Sequence, residues 1–273
     1  MKTQPKTYFI SDLHLTPERP AVIIAFFDFL EHGLDDAEKL YILGDLFEYW
    51  VGDDAANLLG ARLILKRMQR VARNIPCFFI AGNRDFLVGE EFTRRSGFEI
   101  LPDETLIDLY GTNTLVLHGD SLCTDDLAHQ QFRQNMSTNR EWQQEILALS
   151  IKERITGAIN ARATSKQHKS KISMEIMDVT EDAVTKAFKK NHVTQMIHGH
   201  THRQNVHEYS IDQQQCKRYV LGDWAETSSV MTVSQNDIQI INTKIDKPRP
   251  SLVLWYFLIR NQSIKLLAFF NKT

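Results

Sequence analysis

Along the chain, short runs of apolar residues recur, and each ends at once in a polar cluster. Tyr8-Phe9-Ile10 runs into Ser11-Asp12, the run 40–43 into Gly44-Asp45, and the run 77–81 into Gly82-Asn83. The run 114–117 meets His118-Gly119-Asp120, 195–197 meets His198-Gly199-His200, and 219–221 meets Gly222-Asp223. Runs this short, rich in Ile, Val, Phe and Tyr, read as buried strands. Between the first three, the spacing turns helical over 22–30 and 59–71, the latter aligning Leu65, Met68 and Ala72 on one stripe. Strands alternating with helices predict an α/β sheet, in which ligands bind where loops leave the carboxyl ends of the strands. The polar clusters occupy those ends.

From 124 to about 185 the strand pattern gives way to helical spacing, as at Trp142, Ile146 and Leu149 and again at Ile151, Ile155 and Ile159. This predicts a helical insertion, 124–185, in a core built from 1–123 and 186–248. Its later part, 162–171, is basic and poor in apolar residues, and reads either as a solvated face or as the anion-binding edge of a lid. Behind a break at 247–250, the tail 249–273 turns apolar again at 251–259 and 266–270. Both stretches fall short of the roughly 20 residues of a spanning helix. A core strand, a partner-binding segment and an interfacial anchor all remain open for it.

With 273 residues, 42% hydrophobic and 24% charged, the chain has the make-up of a soluble globular protein, which excludes disordered, collagen-like and coiled-coil classes. It is long enough to bury a full core without metal or disulfide staples, so any metal is expected to be catalytic. Thirty-two basic against 34 acidic side chains leave a formal charge of -2 and no basic field to attract nucleic acid. The three cysteines are odd in number, and Cys77 sits in an apolar run, which fits a reducing compartment. The N-terminus lacks the basic and long apolar regions of a signal peptide, so export by that route is not expected.

Five strand-end clusters carry the candidate chemistry: Asp12-x-His14, Gly44-Asp45, Gly82-Asn83-Arg84-Asp85, His118-Gly119-Asp120 and His198-Gly199-His200-Thr201-His202. They offer carboxylate, imidazole and amide oxygen but no thiolate, a donor set suited to Mn²⁺, Fe²⁺ or Zn²⁺ in a catalytic site. Alternate residues of a strand share a face, so Asp12 and His14, and likewise His198 and His200, can aim at one ion. Singly each cluster is weak; five in order at strand ends resist explanation by packing. His202, Asp120 and Asp85 read as groups that orient ligands, with helix capping an equal reading for the two aspartates. Trp50 reads as a core or lid contact, and Trp224 as packing.

Taken together, the five clusters resemble the motif set of the calcineurin-like metallophosphoesterases, over residues 12–202. The resemblance implies a four-layer αββα sandwich holding two metal ions, one on Asp12, His14, Asp45 and His200, the other on Asp45, Asn83, His118 and His198. Asp45 would bridge them, with Gly44 letting the backbone turn closely beneath. Two ions about 4 Å apart can polarise a phosphoryl group and activate water for in-line attack. Many members carry His after Gly-Asn; here Arg84 stands there, a permanent cation that binds phosphate oxygens but cannot serve as an ordinary acid. That favours a leaving group needing no strong protonation, and a nucleoside monophosphate departing from a pyrophosphate meets the condition.

The finer pattern, at 41–48, 82–86, 118–126, 176–179 and 197–203, closely resembles the branch of that family formed by the UDP-2,3-diacylglucosamine pyrophosphohydrolases of lipid A synthesis. This implies Mn²⁺-dependent water attack on the α-phosphorus, giving UMP and diacylglucosamine 1-phosphate. Two Mn²⁺ ions, a single-chain enzyme, and peripheral attachment to the cytoplasmic face of a bacterial inner membrane follow as expectations. Asp45 and His118 would act with Asn83 and Arg84 in catalysis. Asn83, Arg84, Asp126, Ser165, Lys169 and His198 would contact substrate; the family's further lysine falls at Ile172, beside Lys171. The insertion would give the acyl chains an apolar channel lined by residues such as Phe132, Trp142, Leu147, Ile151, Ile155 and Met174.

Overall fold

Successive side chains of a strand point to opposite faces, and in β1 (Lys6–Ile10) both faces are buried. Tyr8 and Ile10 turn to one side and Phe9 to the other. The computed structural model describes residues 4–169 and 176–246. From β1, β2 (Ala37–Leu43), β3 (Cys77–Ile80) and β4 (Glu99–Leu101) continue in parallel. β5 (Thr105–Leu109), β6 (Thr112–Val116), β7 (Gln195–His198), β8 (Asn205–Ile211) and β9 (Gln214–Val220) form a second sheet, and β10 (Thr227–Val233) and β11 (Ile238–Lys244) return to the first. The orders are β11-β10-β1-β2-β3-β4 and β5-β6-β7-β9-β8.

Three apolar layers follow from this alternation. Phe9, Tyr41, Leu43 and Ile80 of the first sheet meet Val116, Ile197, Tyr219 and Leu221 of the second. The opposite face of the first sheet, with Ile10, Leu40, Ile42 and Phe79, is covered by α1 (Pro20–His32), α2 (Arg62–Ala72) and α3 (Glu90–Ser96). α1 starts on Pro20, whose fixed φ suits a first helical turn. The chain then forms α4 (Leu127–Phe132), α5 (Arg140–Ala148), α6 (Ile151–Lys169) and α7 (Glu181–Asn191). Val184, Ala187 and Phe188 of α7 cover Leu115, Leu117 and Met196 of the second sheet. The result is the expected αββα sandwich.

α7 begins inside the stretch 124–185 read as an insertion, yet packs on the sheet. Helices α4 to α6 stand beside the sheets and bury no side chain in α4 or α5. One buried tie of α6 is Arg154, only 5% exposed. Its Nη1 donates to the Val51 carbonyl at 2.5 Å and to Asp54 Oδ1 at 2.9 Å, while Nη2 pairs with Asp54 Oδ2. Gly52 makes room for that fork: at φ +115° a Cβ there would lie 2.3 Å from Arg154 Nη1. Trp50 packs on Phe47 and Phe92, and Trp224 on Phe26 and Phe29.

Candidate metal centre and its cleft

The strand-end loops turn through left-handed backbone at residues that are not glycine. Asp12, His14, Asp45, His200 and His202 have φ of 56°, 49°, 51°, 68° and 58°. Such conformations are uncommon outside glycine and cluster at functional sites. The loops hold one another: the N–H groups of Asp12 and His14 donate to the carbonyls of Gly44 and Asp45, each at 3.0 Å, and Trp224 N–H donates to Asp12 O at 3.1 Å. Gly44, at φ +86°, has no room for a side chain, since a Cβ would meet His118 Nδ1 at 2.5 Å and Gly82 Cα at 2.8 Å.

Side chains on these loops converge. In each of two sets, Asp12, His14 and His202, and Asp12, Asp45 and His118, one ligand atom from every residue lies within 4.8 Å of the others. His14 Nε2 lies 3.2 Å from His202 Nε2, and His202 Nε2 lies 3.3 Å from Asp12 Oδ1. His118 Nδ1 donates to the Leu43 carbonyl at 2.8 Å, which leaves Nε2 facing Asn83 Oδ1 and His200 Nδ1, each at 3.2 Å, with Asp45 Oδ1 at 3.7 Å. An imidazole oriented through one nitrogen presents the other to an ion.

These donors fit divalent cations. His14 Nδ1 is buried without a hydrogen-bond partner, and Asp12 Oδ1 has only the His202 ring 3.3 Å away, a cost that a coordinated ion removes. Burial pushes the Asp12 carboxyl up, but His202's hydrogen bond and the charges of His202, His118 and His14 hold it well below the usual range. Burial opposes charging of His118, yet Asp45, Asp12 and Asp120 raise it to about 9. Burial first, and then the charges of Arg84 and His118 respectively, depress His14 and His200.

The structure corrects one expected ligand. His198 is fully buried with both ring nitrogens engaged, Nδ1 to the Gly199 carbonyl at 2.8 Å and Nε2 to Arg218 Nη1 at 3.0 Å. It has no lone pair for a metal and no exposed atom for substrate. His202, read as an orienting group, stands in the donor cluster instead. His200 stays in the set but shifts its company from Asp12 and His14 to His118. The period-two rule that paired His198 with His200 ends with β7, whose last residue is His198.

The other candidates divide by role. Asp85 accepts from the backbone N–H groups of Gly82, Asp45, Leu46 and Phe47, at 2.8, 3.3, 2.7 and 3.3 Å, and so joins two loops of the site. Asp120 receives Arg133 Nη1 on both oxygens, at 3.2 and 3.1 Å, and fastens the start of the lid. Arg84 Nε lies 3.1 Å from Asp45 Oδ2, and its Nη1 donates to Glu48 at 2.7 Å; Arg162 from α6 reaches the same carboxylate at 2.8 Å. Sequence reasoning missed Glu48 and His129, whose ring lies 5.1 Å from that of His200. Neither carries a strand-end signature.

From this centre a cleft of about 590 Å³ runs beneath the lid. Asn83, Arg84, Asp126 and Ser165 line it, as do Phe132 and Trp142. Asp126 also caps α4 by accepting from His129 N–H at 3.0 Å. Leu147, Ile151 and Ile155 do not line it. α6 instead turns Gly157, Ala158, Ala161 and Ser165 to the cleft, one stripe of the helix, and the isoleucines fall on another. Lys171, Ile172 and Met174, and the Lys169 side chain, lie outside the described residues, as does the tail from 247.

Comparison with known proteins agrees with this geometry. The model of the calcineurin-like phosphoesterase family matches residues 5–204. A UDP-2,3-diacylglucosamine hydrolase of Pectobacterium carotovorum is 44% identical over 236 residues, covering 86% of this chain and 98% of that protein. Its namesake from Histophilus somni is 45% identical over 237 residues, covering 86% and 99%. One from Salmonella paratyphi C is 44% identical over 238 residues, covering 86% and 98%.

Proposed function

From the chain's membership of the calcineurin-like phosphoesterases, in the branch that holds the UDP-2,3-diacylglucosamine hydrolases, we propose that it hydrolyses the pyrophosphate bond of UDP-2,3-diacylglucosamine. Water attacks the α-phosphorus, the bond from that phosphorus to the bridging oxygen breaks, and UMP and 2,3-diacylglucosamine 1-phosphate result. The observation that carries this reading is the junction of a buried oxygen and nitrogen donor cluster with a mainly apolar cleft under a helical lid. A phosphoester has use for the first, and acyl chains for the second.

Asp12, His14, Asp45 and His202 would hold one Mn²⁺ ion, and Asp45, Asn83, His118 and His200 a second, with Asp45 shared. Bound there, the pair would supply Lewis acidity toward the phosphoryl oxygens and make water a nucleophile near neutral pH. Arg84, at the inner end of the cleft, takes phosphate oxygens with its planar fork. It supplies no proton to the leaving group, and none is needed. With attack at the α-phosphorus, the departing group is the sugar 1-phosphate rather than the nucleotide, and its oxygen is already that of a phosphate. Asp126 and Ser165 on the cleft wall, and Lys169 and Lys171 later in the sequence, would contact the rest of the head group. The lid excludes water and seats the acyl chains against Phe132, Trp142, Ile146 and Leu149.

We place the enzyme on the cytoplasmic face of the bacterial inner membrane, acting as a single chain. Among the described residues no helix is long and apolar enough to cross a membrane, and the lid exposes Leu127, Leu147 and Ile159 for peripheral contact. The test is UMP release from UDP-2,3-diacylglucosamine with and without added Mn²⁺, beside the deacylated UDP-sugar and a generic phosphodiester. Metal-dependent release restricted to the acylated substrate is expected. Hydrolysis of the generic diester alone would refute the substrate while sparing the metal centre.

A further inference from the structure

Arg218, on β9 beside β7, is 3% exposed, and no described carboxylate lies within ion-pair distance of it. A buried guanidinium without a counter-charge is costly, so its directed bonds need a purpose. Nε donates to the Tyr209 hydroxyl at 2.9 Å and Nη1 to His198 Nε2 at 3.0 Å. An arginine keeps its protons, so Nε2 of His198 has to be the acceptor. The ring proton is therefore on Nδ1, where it donates to the Gly199 carbonyl at 2.8 Å.

That carbonyl belongs to the turn that carries His200 and His202. The turn has little other freedom: Gly199 N–H donates to the His118 carbonyl at 2.9 Å, and His200 N–H to Asp12 Oδ2 at 2.8 Å. A Cβ on Gly199 would lie 2.2 Å from Asp12 Oδ2, so the backbone runs hard against the donor cluster. We propose that Arg218 is a positioning residue for the metal centre: by fixing the tautomer of His198 it sets the turn 198–202, and with it the imidazoles of His200 and His202. This inference rests on the reading of the site as a metal centre.

The experiment measures Mn²⁺ affinity by competition with a chelator for the full chain and for Arg218→Met, which keeps the stem and loses the donors. Melting of the metal-free proteins and ¹⁵N shifts of the His198 ring accompany it. Removing such a supporting bond typically costs 10- to 100-fold in metal affinity. Arg218→Met is therefore expected to fold, to bind Mn²⁺ at least about tenfold more weakly, and to lose the single Nδ1–H tautomer. Excess Mn²⁺ restores its kcat, and KM for the acylated substrate does not move. Arg218→Lys recovers most of the affinity. Affinity within twofold of the native chain, or a loss of activity that Mn²⁺ does not reverse, overturns the proposal. Should Arg218→Met fail to fold, His198→Gln is expected to show the same Mn²⁺-reversible loss, and native affinity there overturns it equally. A native chain that binds no divalent ion overturns the metal-centre reading as well, whereas normal native binding with normal Arg218→Met binding overturns this inference alone.

Discussion

Arg154→Met removes one of the two fastenings of α6 and leaves the other, Arg162 on Glu48. Methionine keeps the buried stem and removes the fork on the Val51 carbonyl and Asp54. A charge-assisted bond to a buried carbonyl contributes about 1.5–3 kcal/mol. The Asp54 carboxylate is 58% exposed, so its pairing adds no more than about 1 kcal/mol. A loss of about 2–3 kcal/mol falls on the closed position of α6, which corresponds to a roughly 30- to 150-fold larger open population. Hydrogen exchange by mass spectrometry reads this directly, because protection of a segment tracks its own opening free energy. Amides of α6 are expected to lose protection by that factor while those of β1 to β3 keep theirs, since Arg154 contributes to none of the apolar layers between helices and sheets. KM for the acylated substrate rises, and that for the deacylated sugar nucleotide stays. Unchanged protection in α6, or an equal loss throughout the sheets, would refute the reasoning.

Three further outcomes follow from the same geometry. Gly52→Ala should open α6 much as Arg154→Met does, because its Cβ and the Arg154 fork claim one space at a φ that alanine resists; exchange in α6 checks it, and native protection would refute it. Asp45→Asn should abolish turnover while the metal-free protein melts no lower than the native one, since a buried carboxylate facing Asp12 and Asp85 is removed; its Mn²⁺-induced rise in Tm disappears, and a retained rise would remove Asp45 from the donor set. Cys77, Cys123 and Cys216 are buried thiols, and burial pushes Cys77 up to about 12. Iodoacetamide at pH 8 should leave all three unmodified in the native state and alkylate them in denaturant, as mass spectrometry reports.

The strands legible in the sequence, β1, β2, β3, β6, β7 and β9, are those whose buried end is an unbroken apolar run; β10 is buried almost throughout but is masked by Ser and Thr at four of its seven positions. β8 and β11 lie at sheet edges and keep largely exposed faces. Their patterns carry little apolar signature, and β4 has only three residues in which to show one. At the site, Asp12, His14, Asp45, Asn83, His118 and His200 were visible as strand-end donors. The exchange of His198 for His202 was not, because alternation of faces holds only while the chain is extended, and it turns left-handed at His200. Spacing alone could not choose, since His198-x-His200 and His200-x-His202 both repeat that of Asp12-x-His14. The cleft wall misled in another way. Bulky apolar residues such as Ile151 and Ile155 drew attention, whereas a wall that leaves room for a ligand is built from Gly157, Ala158 and Ala161.

The left-handed turns at Asp12, His14, Asp45, His200 and His202 also set what selection can do with this chain. Conformations of this kind cost of the order of 1–3 kcal/mol each in unfavourable cases, less for aspartate than for bulkier residues. Glycine relieves them at all five positions and deletes a donor at every one. A library screened for heat resistance in the presence of a chelator would therefore enrich glycine where the chemistry sits and return stable, inactive proteins. The same library screened with Mn²⁺ present would hold those positions fixed and place its gains elsewhere, so the metal decides which face of the stability–activity trade-off the sequence is exposed to.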